Sequence, residues 1–426
     1  MDDLAILPTD GPFRLTRVAT NKESGDSNAP QFSIKIAAFD MDGTLICPNG
    51  KHVHAKNASD WKFYAASVPD RLRQLYIDGY TVVVFSNQAH ILQKERHGRY
   101  TTFTGRVEGY APKIGCPLVV FAAAGDDAFR KPRIGMWNYL LHLARQQCGN
   151  DARVTVDWDT SFYVGDAAGR LARKVNRFAV PKDHSEADWR FAQNVGIRFL
   201  TPEEYFMDLS SAESGLVNVD RSSAFVPRSL VSSTDAISPS TDGQELIVMV
   251  GFPASGKSSF AKQIFVSAGY VYINQDTLRS AHRCLSETKT ALAAGQSVVV
   301  DNTNRDAKTR KPYVDAAKQY PGCRIKCVFV DVGLEHARHN NYFRSCGASK
   351  WLRYDSKWTV EEYEQFVAKG DAVVGNLVPK VAYNTMASQL EEPATTEGFN
   401  EVVRLVPPLK FTNKHDETVW RMYFTD

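Results

Sequence analysis

Two short stretches carry residue types at spacings that suit phosphate chemistry. In Asp40-Met41-Asp42-Gly43-Thr44, two carboxylates stand one residue apart directly after the apolar run Ile34-Lys35-Ile36-Ala37-Ala38-Phe39. A carboxylate so placed can attack phosphorus to give an aspartyl-phosphate, while its neighbour protonates the leaving oxygen and later activates water. Asp40 is the candidate nucleophile and Asp42 the candidate acid and base, one ionised while the other is protonated. The second stretch, Gly251-Phe252-Pro253-Ala254-Ser255-Gly256-Lys257-Ser258, fits G-x-x-x-x-G-K-[ST]. Its glycines let backbone N–H groups turn toward a polyphosphate, Lys257 reaches the terminal phosphates, and the Ser258 hydroxyl can hold Mg²⁺. A nucleoside triphosphate is the expected ligand. A calcium-loop reading of the first stretch fails, because glycine stands at the fourth loop position and Lys51 at the twelfth, where a bidentate Glu is required.

Both stretches need elements to aim them. The apolar runs at 34–39 and 246–250 read as buried strands, and 259–265 reads as a helix after the glycine-rich loop. The motifs therefore sit at carboxyl ends of strands, where open α/β sheets place their ligands. Aspartyl-phosphate chemistry further needs a cation, a hydroxyl or amide to hold the phosphate, and a lysine to balance charge. A strand at 80–85 ends in Ser86-Asn87-Gln88, Arg130-Lys131-Pro132 opens a helix at 134–143, and a strand at 161–164 ends in Gly165-Asp166. Each has an ordinary explanation alone; together they supply the full set. In the second half, a strand at 270–274 leads to Gln275-Asp276-Thr277-Leu278-Arg279, where Asp276 is the candidate base for an acceptor hydroxyl or, alternatively, a helix cap. A strand at 297–300 ends in Asp301-Asn302-Thr303-Asn304, and Asp301 either holds Mg²⁺ through water or orients the acceptor. Beyond a strand at 323–331, Arg338 and Arg344 suit either a lid over the triphosphate or a solvated helix face. Trp351, Tyr354 and Trp358 either stack on bases or fill a core.

The 426 residues, with 43% hydrophobic and 23% charged, predict two to three globular domains, and no run approaches the ~20 apolar residues of a membrane span. A formal charge of +3 is too small to argue for nucleic acid by itself. Seven widely spaced cysteines and an acidic start, Met1-Asp2-Asp3, without a secretory signal, point to a reducing compartment. Residues 210–243 turn to Ser, Thr, Pro, Asp and Gly, with Val226, Leu230 and Val231 as apolar points, and read as a connector. The expected division is a flexible segment 1–30, a first domain 31–209, a linker 210–243 and a second domain 244–426.

The four elements of the first half resemble the haloacid dehalogenase-like phosphatases. That resemblance implies a doubly wound α/β domain with Asp40 as nucleophile, Asp42 as acid and base, and Thr44, Ser86, Asn87 and Lys131 around the phosphate. It also implies Mg²⁺ held by Asp40, the Asp42 carbonyl and Asp166. Such a phosphatase followed by a P-loop kinase resembles the eukaryotic polynucleotide kinase 3′-phosphatase family. The resemblance covers about 32 to 406 and rests on Ser59-Asp60-Trp61, residues 164–170, the glycine-rich loop, Gln275 to Leu278, Asp301 to Asn304, residues 337–343 and Glu397-Gly398-Phe399. It implies a second doubly wound α/β domain, with ATP and Mg²⁺ held by Lys257 and Ser258, Asp276 as base and Arg344 as lid arginine. The implied function is repair of DNA ends at nicks, gaps and breaks, with removal of 3′-phosphate and phosphorylation of 5′-hydroxyl, by a nuclear monomer. Two departures stand out. The roughly 30 residues before the first strand are too few for the forkhead-associated module of mammalian members, so repair scaffolds would be met differently. Gln275 stands where those relatives carry arginine, a place Arg279 could fill. An RNA end-healing enzyme, a metabolite phosphatase/kinase fusion and a nonenzymatic scaffold are the rival readings.

Overall fold

The computed structural model describes residues 5–6, 13–18, 30–50, 52, 54–89, 91, 97–149, 152–175, 178–219, 226–227, 237–349, 351–352, 377–411 and 413–425. The expected points Leu230, Val231, Tyr354 and Trp358 lie outside them. Packing divides the chain into two units. One comprises Met1–Ala224, Cys346–Val374 and Met422–Asp426, and the other Phe225–Ser345 and Gly375–Arg421. The division thus falls inside the expected linker, and two later segments group with the first unit.

The first unit is organised on a sheet with Gln31–Phe39 at its centre, three residues longer at its start than the apolar run suggests. Parallel partners give the order Val119–Ala123, Tyr80–Asn87, Gln31–Phe39, Phe162–Val164, Arg198–Leu200. Numbered along the chain this is 3-2-1-4-5, so the strand order reverses beside Gln31–Phe39 and the crevice there opens at Asp40. Ala37, Ala38 and Phe39 are fully buried, as a strand covered on both faces requires. Helix Val68–Ile77 covers one face because Val68, Leu72 and Leu75, spaced by four and three, form a single buried stripe. Helix Gly135–Cys148 runs past the expected end at 143 because Ala144 continues its buried face, and it stops at Gly149. Two stretches of the expected flexible segment join the sheet. Ala5–Ile6 pairs with Val119–Ala123, and Leu15–Arg17 with Gln31–Phe39.

The second unit holds five parallel strands in the order Val271–Ile273, Val298–Asp301, Glu245–Val250, Arg324–Val330, Glu401–Leu405. Glu245–Val250 is buried throughout and lies at the centre, so the loop that follows it opens at the middle of the sheet edge. Helix Lys257–Ile264 begins on the lysine of that loop. No helix among the described residues is long and apolar enough to cross a membrane.

Candidate active sites

The first site forms where three strand ends converge on one buried ammonium. Lys131 Nζ lies 2.6 Å from Asp40 Oδ1, 2.7 Å from Asp188 Oδ1, 2.7 Å from the Phe85 carbonyl and 2.9 Å from the Tyr163 hydroxyl. The Tyr163 hydroxyl also donates to Asp188 Oδ1, and Asp188 Oδ2 accepts from the Ala167 N–H at 3.0 Å. Burial would lower the Lys131 pKa, but Asp188 and Asp40 outweigh it and hold the ammonium above its usual range. Burial pushes the Asp40 carboxyl up to about 7, against the pull of Lys131 and with repulsion from Asp188 and Asp42. Asp166 is pushed well above the usual carboxylate range, first by burial and then by Asp40 and Asp188.

Oxygen atoms of Asp40, Asp166 and Asp188 lie within 4.8 Å of one another. Three carboxylates this close, two of them reluctant to ionise, fit a hard divalent cation that takes oxygen ligands. Asp188 already meets Lys131, Tyr163 and the Ala167 amide, so Asp40 and Asp166 are the side chains with capacity to spare for the ion. Gly43, at φ +82°, keeps the approach open, since a Cβ there would lie 2.6 Å from Asp166 Oδ2.

The remaining expected residues divide into two groups. Thr44 is fully buried with its hydroxyl 3.5 Å from Asp166 Oδ1, and Ser86 is buried at the neighbouring strand end. Asn87, expected on phosphate, instead braces the lysine: its Oδ1 accepts from the Lys131 N–H and its Nδ2 donates to the Lys131 carbonyl, across the turn holding the cis Lys131-Pro132 bond. The Asp42 carboxylate stands apart from the acidic trio, held by Arg106 and Gln88.

The second site is the glycine-rich loop. Gly251 adopts φ +144° where a Cβ would meet the Val330 carbonyl at 2.6 Å, so only glycine allows strand and loop to pass this closely. Asn340 Nδ2 and the Tyr383 hydroxyl donate to the Ala254 and Pro253 carbonyls, fixing the loop from outside. Lys257 Nζ folds onto the Gly251 and Phe252 carbonyls at 2.8 and 2.6 Å. Burial lowers its pKa to about 8, opposed by Asp301 and Asp276 and assisted by Arg344. Those three groups therefore lie within electrostatic reach of the lysine. Ser255 and Gly256 complete the loop, and the Tyr272 hydroxyl ties its Ser258 to Asp301.

Asp276 does not cap its helix. Asn274 does, accepting from the Asp276 and Thr277 N–H groups, which leaves the Asp276 carboxylate exposed in the first turn. Asp301 is 2% exposed and accepts from the Tyr272 hydroxyl. On helix Leu334–Cys346, Arg344 is exposed and bonds Asn341, whereas Arg338 pairs with Glu335. Trp351 is a core residue of the first unit, buried against Tyr139 at 4.8 Å between ring centroids.

Comparison with known proteins follows this division. Residues 35–206 match the family described as polynucleotide kinase 3 phosphatase, and residues 246–347 match the AAA domain family. A bifunctional polynucleotide phosphatase/kinase of Schizosaccharomyces pombe is 33% identical over 394 residues, covering 92% of this chain and 83% of that one. The chain belongs to the bifunctional polynucleotide phosphatase/kinase family.

Two further relatives match less than half of the chain. A polynucleotide 3′-phosphatase of Arabidopsis thaliana is 36% identical over 193 residues, 42% of this chain and 25% of that one. A polynucleotide 3′-phosphatase of Saccharomyces cerevisiae is 27% identical over 223 residues, 41% of this chain and 89% of that one. For this family member, sequence reasoning missed Asp188, Tyr163, Arg106 and Gln88 on the phosphatase side and Asn274 and Tyr272 on the kinase side. Asp188 opens helix Ala187–Val195 rather than ending a strand, and its one cue is a carboxylate beside the buried positions Ala187, Phe191 and Ala192.

Proposed function

We infer that the chain restores ligatable DNA ends, removing 3′-phosphate in its first unit and phosphorylating 5′-hydroxyl from ATP in its second. The observation that carries the first activity is the Lys131 ammonium beside Asp40, with Asp42 two residues on. Asp40 attacks the phosphorus, the bond to the 3′-oxygen breaks, and the proton on Asp42 passes to that oxygen. Water then attacks the aspartyl-phosphate, gives its proton to Asp42, and releases phosphate with Asp40 restored. Lys131 balances charge on the transferring group, with Ser86 and Thr44 at the phosphate. Asp40 and Asp166 would hold a magnesium ion, which would supply neutralisation of the phosphate oxygens.

In the second unit the loop amides and Lys257 hold the ATP phosphates, Arg344 closes over them, and Asp276 takes the proton of the acceptor hydroxyl. Ser258 and Asp301 would hold the nucleotide's magnesium. Residence in the nucleus follows from the DNA repair reading.

The DNA reading is supported by the motif-level resemblance to eukaryotic end-repair enzymes. The test is phosphate release from a DNA oligonucleotide bearing a 3′-phosphate and from RNA of the same sequence, each with and without Mg²⁺. Release from DNA that requires Mg²⁺ and exceeds release from RNA is expected. Preference for RNA would move the assignment to RNA end-healing, and activity on sugar phosphates alone would remove it.

A further inference from the structure

The mechanism above gives no role to the buried cation that meets Asp42. Arg106, from helix His97–Ile114, has a side chain only 8% exposed, and its Nη1 lies against Asp42 Oδ1. Its Nε is buried with no hydrogen-bond partner among the described residues. On the other oxygen, Gln88 Nε2 donates to Asp42 Oδ2 at 2.7 Å and also to Ser86 Oγ at 2.9 Å. Both carboxylate oxygens are thus gripped, yet the Asp42 side chain stays 44% exposed. A carboxylate oxygen can accept more than one hydrogen bond, so an open edge remains toward solvent.

The depth of Arg106 is set by close backbone packing. A Cβ at Gly105 would lie 2.7 Å from the Ala58 Cβ, and one at Gly109 would lie 2.9 Å from Trp61 Nε1. The helix therefore rests on the 58–61 turn at a separation that a larger residue at either position would not allow. A buried arginine is costly unless paired, and Asp42 is the ion partner this one has been given among the described residues.

We propose that Arg106 is a positioning residue for the phosphatase reaction. Together with Gln88 it fixes the Asp42 carboxyl in the one orientation from which its open edge reaches the leaving 3′-oxygen, and later the attacking water. This rests on Asp42 being the acid and base. Fixed aim matters because proton transfer needs the donor within hydrogen-bond reach of the oxygen as charge develops.

The experiment compares wild type, Arg106→Met and Arg106→Lys on a 3′-phosphorylated oligonucleotide and on p-nitrophenyl phosphate, whose leaving group needs no proton. On the oligonucleotide, Arg106→Met should lower kcat by about 10²-fold with KM little changed, and Arg106→Lys should recover part of the loss. On p-nitrophenyl phosphate, Arg106→Met should release one equivalent of nitrophenol per chain in a fast burst and then turn over slowly, because only the water step still needs an aimed Asp42. A raised KM on both substrates would make Arg106 a phosphate ligand and overturn the proposal. So would unchanged rates, or a slow release of nitrophenol without a burst. Failure of wild type on the oligonucleotide would instead sink the underlying functional reading.

Discussion

Among the described residues each unit buries one lysine at the edge of a parallel sheet, and the two lysines are treated in opposite ways. Lys131 is surrounded by Asp40 and Asp188 and is held charged, above its usual range. Among the described residues Lys257 hydrogen-bonds only to backbone carbonyls, and burial lowers it to about 8. The first site thus carries its counter-charges within the protein, as the covalent role proposed for Asp40 requires. The second lacks a counter-charge at hydrogen-bond range among the described residues and suits a lysine that waits for the anion of its ligand. One sheet-end design therefore serves either hydrolysis or transfer, according to where the negative charge comes from.

The comparison is broken most severely by substitutions that remove one chemistry and leave the other. Asp40→Asn should lower phosphatase turnover by at least about 10⁴-fold and spare the kinase, and Lys257→Ala should do the reverse, as paired assays on one preparation would show. Loss of both activities from either change would contradict separable sites. Next in size, Asp276→Asn should reduce kinase kcat by about 10²–10⁴-fold while ATP binding, measured by calorimetry, persists.

Asp188→Asn sharpens the contrast from the structural side. It leaves Lys131 with one carboxylate in a buried setting, and removing a partner of a buried ion pair costs about 3–5 kcal/mol. A lower Tm together with reduced phosphatase activity is expected, with the kinase unaffected at temperatures below the transition.

How far these sites were legible follows from where their residues sit. Asp40, Ser86, Asp166, Asp301 and the glycine-rich loop all end buried apolar runs, and period-based reading finds strand ends well. Strands Val119–Ala123, Arg198–Leu200 and Glu401–Leu405 carry no chemistry at their ends, and so no motif singled them out. Asp188 and Arg106 were hidden for another reason. Both lie on helices and reach the site through tertiary packing, which spacing along the chain does not encode. Asn87 and Asn274 show a third limit: their neighbours in sequence carry the chemistry, while their own amides brace Lys131 and cap the helix of Asp276.

The smallest expected effect concerns pH and metal. The Asp40 carboxyl is raised to about 7 in the folded protein, so the folded state binds its proton more tightly than the unfolded chain. Its contribution to stability is full below the usual carboxylate range and is lost as pH rises through about 7. Metal-free protein should therefore show a Tm falling by a few degrees across that range, and Mg²⁺ should restore it above pH 7 but add little at pH 5. An equal Mg²⁺ effect at both pH values would count against a cation at Asp40.

The covalent role proposed for Asp40 admits a direct trial. Wild-type protein mixed with an oligonucleotide carrying a radiolabelled 3′-phosphate and quenched in acid within milliseconds should retain label on the chain, lost on mild alkaline treatment and absent from Asp40→Asn. Release of phosphate at full rate with no label on wild type at any quench time would show that water attacks directly, and the account of this pocket would fall.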